Sequence, residues 1–179
     1  MIKYKLKTAP AAEAVTLAEA KAHLKVYHDE QNVLIQGYLD SAVEDIENIT
    51  GRRLITQTWN IICNTWAEVT EIIKFGKLQS VASIKYLDED RAEQTVLASL
   101  YIVSGIGTDE GQIVFFSDGD FSYPAVFEVE PITVEFVCGY GLPISVPEVL
   151  KNAIKFQVSD VYAGICTDYC IDAYRLWKF

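Results

Sequence analysis

Imidazole is nearly missing from this sequence: among 179 residues only His23 and His28 carry one. Acyl-transfer chemistry normally needs a Ser or Cys with a histidine base. No nucleophile stands near either histidine, and His28 beside Asp29 reads as a loop residue next to a helix cap. A Gly-x-x-x-x-Gly-Lys loop is also lacking, which argues against an ATPase. Basic residues are few, 15 Lys and Arg against 25 Asp and Glu, a net charge of -10. A chain of that sign is repelled by phosphate backbones and anionic lipid unless it gathers a basic patch, and none is visible. Unbroken apolar runs such as Ile113 to Phe116 fall far below the roughly 18 residues of a spanning helix. Glu13 and Glu19 interrupt the region after Lys3, Lys5 and Lys7 where a signal peptide needs a continuous apolar stretch. The expectation is a protein made in the cytoplasm with no membrane partner.

Apolar material, by contrast, is ample: 50% of residues are hydrophobic and 12% aromatic, enough for the core of one ordinary domain. The four cysteines, Cys63, Cys138, Cys166 and Cys170, read as reduced thiols in a chain without a secretory signal. Cys166 and Cys170 lack standard zinc-ligand spacing, so neither a metal nor any other cofactor is expected.

The first residues alternate, with Ile2, Tyr4 and Leu6 opposite three lysines, as in a half-buried or edge strand. Thr16 followed by Glu19 is a capping-box pattern opening a short helix over Leu17 to Lys25. Asp29 is the expected cap of a second helix, from about Glu30 to Thr50. Its apolar residues Ile35, Leu39, Ala42, Ile46 and Ile49 step by four, three, four and three, and Gly51 supplies a left-handed stop. No Lys or Arg lies between Val26 and Gly51, so the exposed face of this helix is strongly negative, with Asp40, Glu44, Asp45 and Glu47 on it.

From Leu54 to Gly141 the character is β. Strands are expected at Ile55 to Asn64, Glu71 to Phe75, Val81 to Leu87, Glu93 to Leu97, Tyr101 to Val103, Gln112 to Phe116 and Ile132 to Cys138, as a mostly antiparallel sheet or small barrel. Asp88, Glu89 and Asp90 form a polar hairpin turn. That run, and Asp118-Gly119-Asp120, resemble starts of metal or acid/base sites, but neither continues into a full ligand series, and acidic turns serve turn chemistry and solubility. A last helix is expected near Pro147, with Leu150, Ile154, Val158 and Val161 at helical spacing and Gly164 ending it. Its stripe is expected to pack on that of the second helix. The tail carries Tyr174, Arg175, Leu176, Trp177 and Phe179, aromatic anchors suited to docking on a neighbouring subunit or partner.

Several stretches together resemble one family. They are Val15-Thr-Leu-Ala-Glu-Ala-Lys-Ala-His-Leu-Lys25, Thr50-Gly-Arg52, Leu54-Ile-Thr-Gln-Thr-Trp59, Leu78-Gln-Ser-Val-Ala-Ser-Ile-Lys-Tyr-Leu-Asp88, and Gly139-Tyr-Gly141 followed by Val146-Pro-Glu-Val-Leu-Lys-Asn-Ala-Ile154. In this order they are similar to tailed-phage head–tail connector (head-completion) proteins of the gp6-like type, including the phiE125 gp8-like phage and prophage proteins. The resemblance implies a non-enzymatic adaptor that forms a cyclic homo-oligomer beneath the portal protein and extends the DNA channel. It would also join a downstream neck or tail-completion protein, with DNA as passing cargo, and reside in the virion neck after synthesis in the bacterial cytoplasm. The acidic helix face would then line the lumen and the aromatic tail would dock. A protein- or peptide-binding module of other role and a carboxylate-dependent hydrolase are the alternatives. The fold expected is α+β: a single connector domain over 1–179 whose helical part, about 13–51 and 147–165, forms a small bundle. The β insert spans about 54–140 and the tail 166–179.

Overall fold

The computed structural model describes residues 2–71, 73–116 and 123–165. Its elements are β1 (Lys3–Thr8), α1 (Leu17–Leu24), α2 (Asn32–Thr50), β2 (Gln57–Cys63), α3 (Trp66–Val69), β3 (Leu78–Leu87), β4 (Glu93–Thr95), β5 (Tyr101–Ser104), β6 (Gln112–Phe115), β7 (Ile132–Cys138) and α4 (Glu148–Ala163). The protein is α+β, and its chain divides into two compact units. Met1–Pro10 with Thr56–Gly139 makes a β unit, and Ala11–Ile55 with Tyr140–Phe179 makes a helical unit.

In the helical unit, α1 begins as its sequence dictates. The Thr16 hydroxyl accepts the Glu19 N–H, and the Glu19 carboxylate accepts the Thr16 N–H at 2.7 Å. This reciprocal box satisfies two backbone donors that a helix start leaves open. It also holds the Glu19 carboxyl below its usual range, chiefly through the Thr16 backbone and side-chain bonds. Lys25 closes the helix in the left-handed region, φ 58°.

Helix α2 starts later than expected and without the anticipated cap. Gln31 is its N-cap and makes no side-chain capping bond. The Asp29 carboxylate instead holds Lys21 Nζ at 2.7 Å and accepts from Asn32 Nδ2, so its negative charge anchors α1 to the approach of α2. Ile35, Leu39, Ala42 and Ile46 form the buried ridge. The expected fifth member, Ile49, is exposed, and Thr50 takes the place on the ridge at 0% exposure. Its hydroxyl donates to the Ile46 carbonyl at 2.7 Å, so a polar residue is buried with its donor satisfied. Gly51 then supplies the left-handed stop, φ 70°.

Helix α4, opened by Pro147 and closed by Gly164 at φ 72°, buries Leu150, Ala153, Ile154 and Val158. Among the described residues its packing against α2 is the most extensive between helices, and α1 packs on both. Val161, the expected last member of the stripe, is exposed; by then the apolar ridge has rotated past the core. Burying a side chain such as Leu39 or Ile154 stabilises by about 1.5–3 kcal/mol.

In the β unit the five-stranded sheet has the order β1-β2-β7-β3-β4, and β5 and β6 form a two-stranded sheet. Among the described residues all strand pairs are antiparallel. An open sheet with two edges therefore stands where a small barrel was the alternative. Alternation along β7 puts Ile132, Val134, Phe136 and Cys138 in the core, as expected of a strand with one buried face. Of the expected strand Glu71 to Phe75, the described residues make a single bridge, between Ile73 and Gly111. The preceding residues form α3, a one-turn helix whose Thr65 hydroxyl accepts the Glu68 N–H. Trp66 on that turn meets Tyr86 and Phe115 edge-on, with ring centroids 5.4 and 5.8 Å away. A second aromatic chain runs from Tyr4, stacked on Phe75 at 4.7 Å, to Trp59 and Phe136, which both meet Phe75 edge-on.

Candidate functional site

The residues with potential chemistry fall into engaged groups and open surfaces. Asp88 is engaged: its carboxylate accepts the backbone N–H groups of Asp90 and Ala92 at 3.1 and 2.9 Å and the Gln94 amide at 3.1 Å. Those bonds, the Gln94 one foremost, hold its carboxyl below the usual range. The Asp88 to Asp90 run is thus the clamp of the β3–β4 hairpin, with Arg91 in the left-handed region at φ 64°. His23 lies edge-on to Phe156 at 5.4 Å, and His28 is exposed. Cys63 and Cys138 are buried and not disulfide-bonded. Their strands place Cys63 opposite Ile132 and Cys138 opposite Gln57, at opposite ends of the β2–β7 ladder. Burial, reinforced by Glu68 and Glu71, pushes the Cys63 thiol up to about 12, so it holds little thiolate at neutral pH. Among the described residues no group of three or more His, Cys, Asp and Glu side chains could hold a metal ion. No helix among them is long and apolar enough to cross a membrane. Asp118-Gly119-Asp120, Cys166, Cys170 and the docking candidates Tyr174, Arg175, Leu176, Trp177 and Phe179 lie outside the described residues.

The four acidic candidates on α2 divide. Asp40, Glu44 and Asp45 are exposed; Asp40 accepts the Gln36 amide at 2.8 Å, and Asp45 accepts the Gln157 amide of α4 at 2.6 Å. Glu47 has a different task. Its side chain is only 15% exposed, pairs with Arg53 at 3.1 Å, and accepts the Leu54 N–H at 2.8 Å. It locks the chain as it leaves the helix, while Arg52 donates to the Tyr140 hydroxyl at 3.1 Å. The outward negative face therefore consists of Asp40, Glu44 and Asp45.

Apolar side chains are exposed on both units. In the helical unit Val33 is 89% and Ile144 84% exposed. An open groove of about 380 Å³ is lined by Leu17, Ala22, Val26, Tyr27 and Asn32 among others. In the β unit the cross-strand pair Ile102 and Val114 points outward beside Phe116. An interaction surface is built from exposed apolar groups that lie together, rather than from single ones. Sequence reasoning missed the Trp66 cluster, although Thr65-x-x-Glu68 repeats the signal that identified α1.

Residues 14–93 match the family model described as phage gp6-like head-tail connector protein. No curated protein matches the chain significantly. Among solved structures, a chain from the neck of a native gene transfer agent particle, computed with C12 symmetry, superposes with a TM-score of 0.75. The likeness covers 99% of this chain and 97% of that one at 17% identity. A chain from the neck of the empty particle, computed with C6 symmetry, gives 0.75 at 16% identity over the same shares. A chain of the native virion gives 0.75 at 17% identity, covering 97% of this chain and 90% of that one. At such identities the likeness is one of fold.

Proposed function

We propose that this protein, whose residues 14–93 carry the phage gp6-like head-tail connector sequence, is a structural connector in the neck of a phage or phage-like particle. One convergence carries the reading. A sequence match confined to the first half of the chain names a head–tail connector, and a fold likeness over 99% of the chain leads independently to particle necks.

The physical demands on such a part fit the molecule. A connector subunit needs stiff elements, and α2 and α4 supply them through a continuous buried ridge. It needs lateral surfaces, which the exposed apolar groups of both units offer. We assign the wall of a DNA passage to Asp40, Glu44 and Asp45, since carboxylates repel a phosphate backbone and leave passing DNA unbound. In this reading the subunits form a ring by self-association, one face meets the portal protein and the other a neck or tail-completion protein. The segment Tyr174, Arg175, Leu176, Trp177 and Phe179 acts as the anchor on a neighbour or the portal. The role is mechanical, with no catalytic residue.

Deleting the gene in a producing strain tests this. The expected result is DNA-filled heads without tails by electron microscopy, with tailed particles restored by the wild-type chain in trans. Normal tailed particles from the deletion strain would refute the reading.

A further inference from the structure

The five-stranded sheet ends in two open edges: among the described residues no strand pairs with the outer side of β1 or of β4. All six residues of β1 and all three of β4 are exposed. Open edges invite pairing with another chain, and these two differ in charge. The ladder registers run one row across the sheet, Lys3 to Ile62 to Thr133 to Lys85 to Thr95. Lys5 sits two residues from Lys3 along β1, and Glu93 two from Thr95 along β4. Both therefore lie on the face of that row, at opposite edges. Lys7 reaches Glu135 on the same face, and Lys85 reaches Glu93 there, at 2.6 and 2.7 Å. Lys3 pairs with Glu130, whereas Lys5 has no ion-pair partner among the described residues.

Charge selects between the ways two copies can meet. Pairing β1 with β1 about a two-fold axis keeps the same face on both copies and sets lysines against lysines. Pairing β4 with β4 sets Glu93 near Glu93. Like charges opposite each other across strands destabilise. Setting β4 of one copy beside β1 of the next brings Glu93 beside the Lys5 strand on one continuous face. On the other face it sets Gln94 beside the strand of Tyr4 and Leu6, which are 40% and 42% exposed. Each neighbouring pair in the sheet is antiparallel, so β1 and β4, four steps apart, run in the same sense and the added pair is parallel. Such a contact uses two different edges, and repeated contacts of that kind close into rings when the rotation permits.

We propose that β4 of each subunit pairs with β1 of the next copy of this chain, with Glu93 against the lysine strand, making the sheet edges the ring contact. The proposal rests on the connector reading above and specifies its subunit interface.

The experiment uses the full chain in particles from a producing strain. In a background with Cys166→Ser and Cys170→Ser, which leaves only the buried Cys63 and Cys138 as native thiols, chains with Lys5→Cys, Glu93→Cys or both are supplied in trans, particles are purified, and a short bismaleimide is applied before a denaturing gel. The double-cysteine chain is expected to give a ladder of multimers and each single-cysteine chain none. The charge variants Lys5→Glu and Glu93→Lys are each expected to lower incorporation by about fivefold, and the double Lys5→Glu/Glu93→Lys chain to restore it. A chain absent from wild-type particles sinks the connector reading. A wild-type chain present in particles, with no ladder from the double-cysteine chain or no rescue by the charge swap, overturns the edge pairing and leaves the connector reading standing. Both sites are exposed, so circular dichroism of each purified variant is expected to match the wild type.

Discussion

The helical and β units hold themselves together by different means. The helical unit relies on a ridge readable within single helices: Ile35, Leu39, Ala42 and Ile46 against Leu150, Ile154 and Val158. The β unit relies on partners far apart in sequence. Trp59 meets Phe136 across β2–β7, and β1 finds β2 after the whole of α1 and α2 has intervened. Each helix of the first unit thus follows from local signals, although α2 and α4 meet across the whole β section, whereas strand order in the second follows from pairings that no single element specifies.

The sharpest way to break this contrast is to damage each core separately. Phe136→Ala, at a fully buried position, is expected to cost about 3–5 kcal/mol. Leu39→Ala is expected to cost about 2–5 kcal/mol. Hydrogen exchange by mass spectrometry then reads where protection is lost. Phe136→Ala should open the amides of β2, β3 and β7 first, and Leu39→Ala those of α2 and α4. Equal loss in both units from either change would mean one cooperative core and end the distinction.

A smaller effect is expected at Gly105, which sits at φ 74° and whose added Cβ would lie 2.1 Å from the Glu110 carbonyl oxygen. Gly105→Ala should cost about 1–3 kcal/mol, read as a shift in the denaturant midpoint with β5 and β6 exchanging faster. A midpoint equal to wild type would show that the turn relaxes freely.

Helix capping gives the next step down. Thr16→Ala is expected to cost about 1 kcal/mol, with fraying confined to α1, and unchanged α1 protection would count against the box as a fixed feature.

Least of all should be the effect of pH on the same box. The folded state holds the Glu19 carboxyl below its ordinary range through the Thr16 bonds. Its stabilising contribution is therefore complete above the unfolded carboxyl's pKa and is lost as pH falls through the lowered folded value. Wild type should lose its margin over Glu19→Gln as pH drops through the carboxylate range, measured by thermal melts. A constant margin would assign the difference to packing.

How much was legible follows the same division. The capping box, the ridge from Ile35 to Ile46, the stops at Gly51 and Gly164 and the strand Ile132–Cys138 were all readable, because each is specified within one element. Thr50 displaced Ile49 because a hydroxyl that bonds back to the Ile46 carbonyl can be buried at a helix end, which an apolar-only count overlooks. Asp29 and Glu47 showed their charge to the sequence reader but not their partners. Lys21 and Arg53 became visible only in three dimensions. Strand order was beyond reach for the same reason: period-2 alternation says which face is buried, not which strand lies alongside. The strand expected at Glu71 to Phe75 failed because α3 uses the preceding residues for a helical turn and leaves one bridge for the rest.

The chain passes between its two units three times, after Pro10, Ile55 and Gly139. During synthesis this order imposes a wait on both. β1 leaves the ribosome with no strand to join until β2 follows, and the sheet is not joined through its middle until β7 bridges β2 and β3. The α2 ridge likewise stays uncovered until α4 is made. Incomplete chains that stop short of β7 would therefore expose an unpaired strand and an apolar helix face together, the two features most attractive to aggregation partners and chaperones. A protein that waits this long to cover itself has a built-in check: a chain must run through α4 before the α2 ridge and the sheet are both closed.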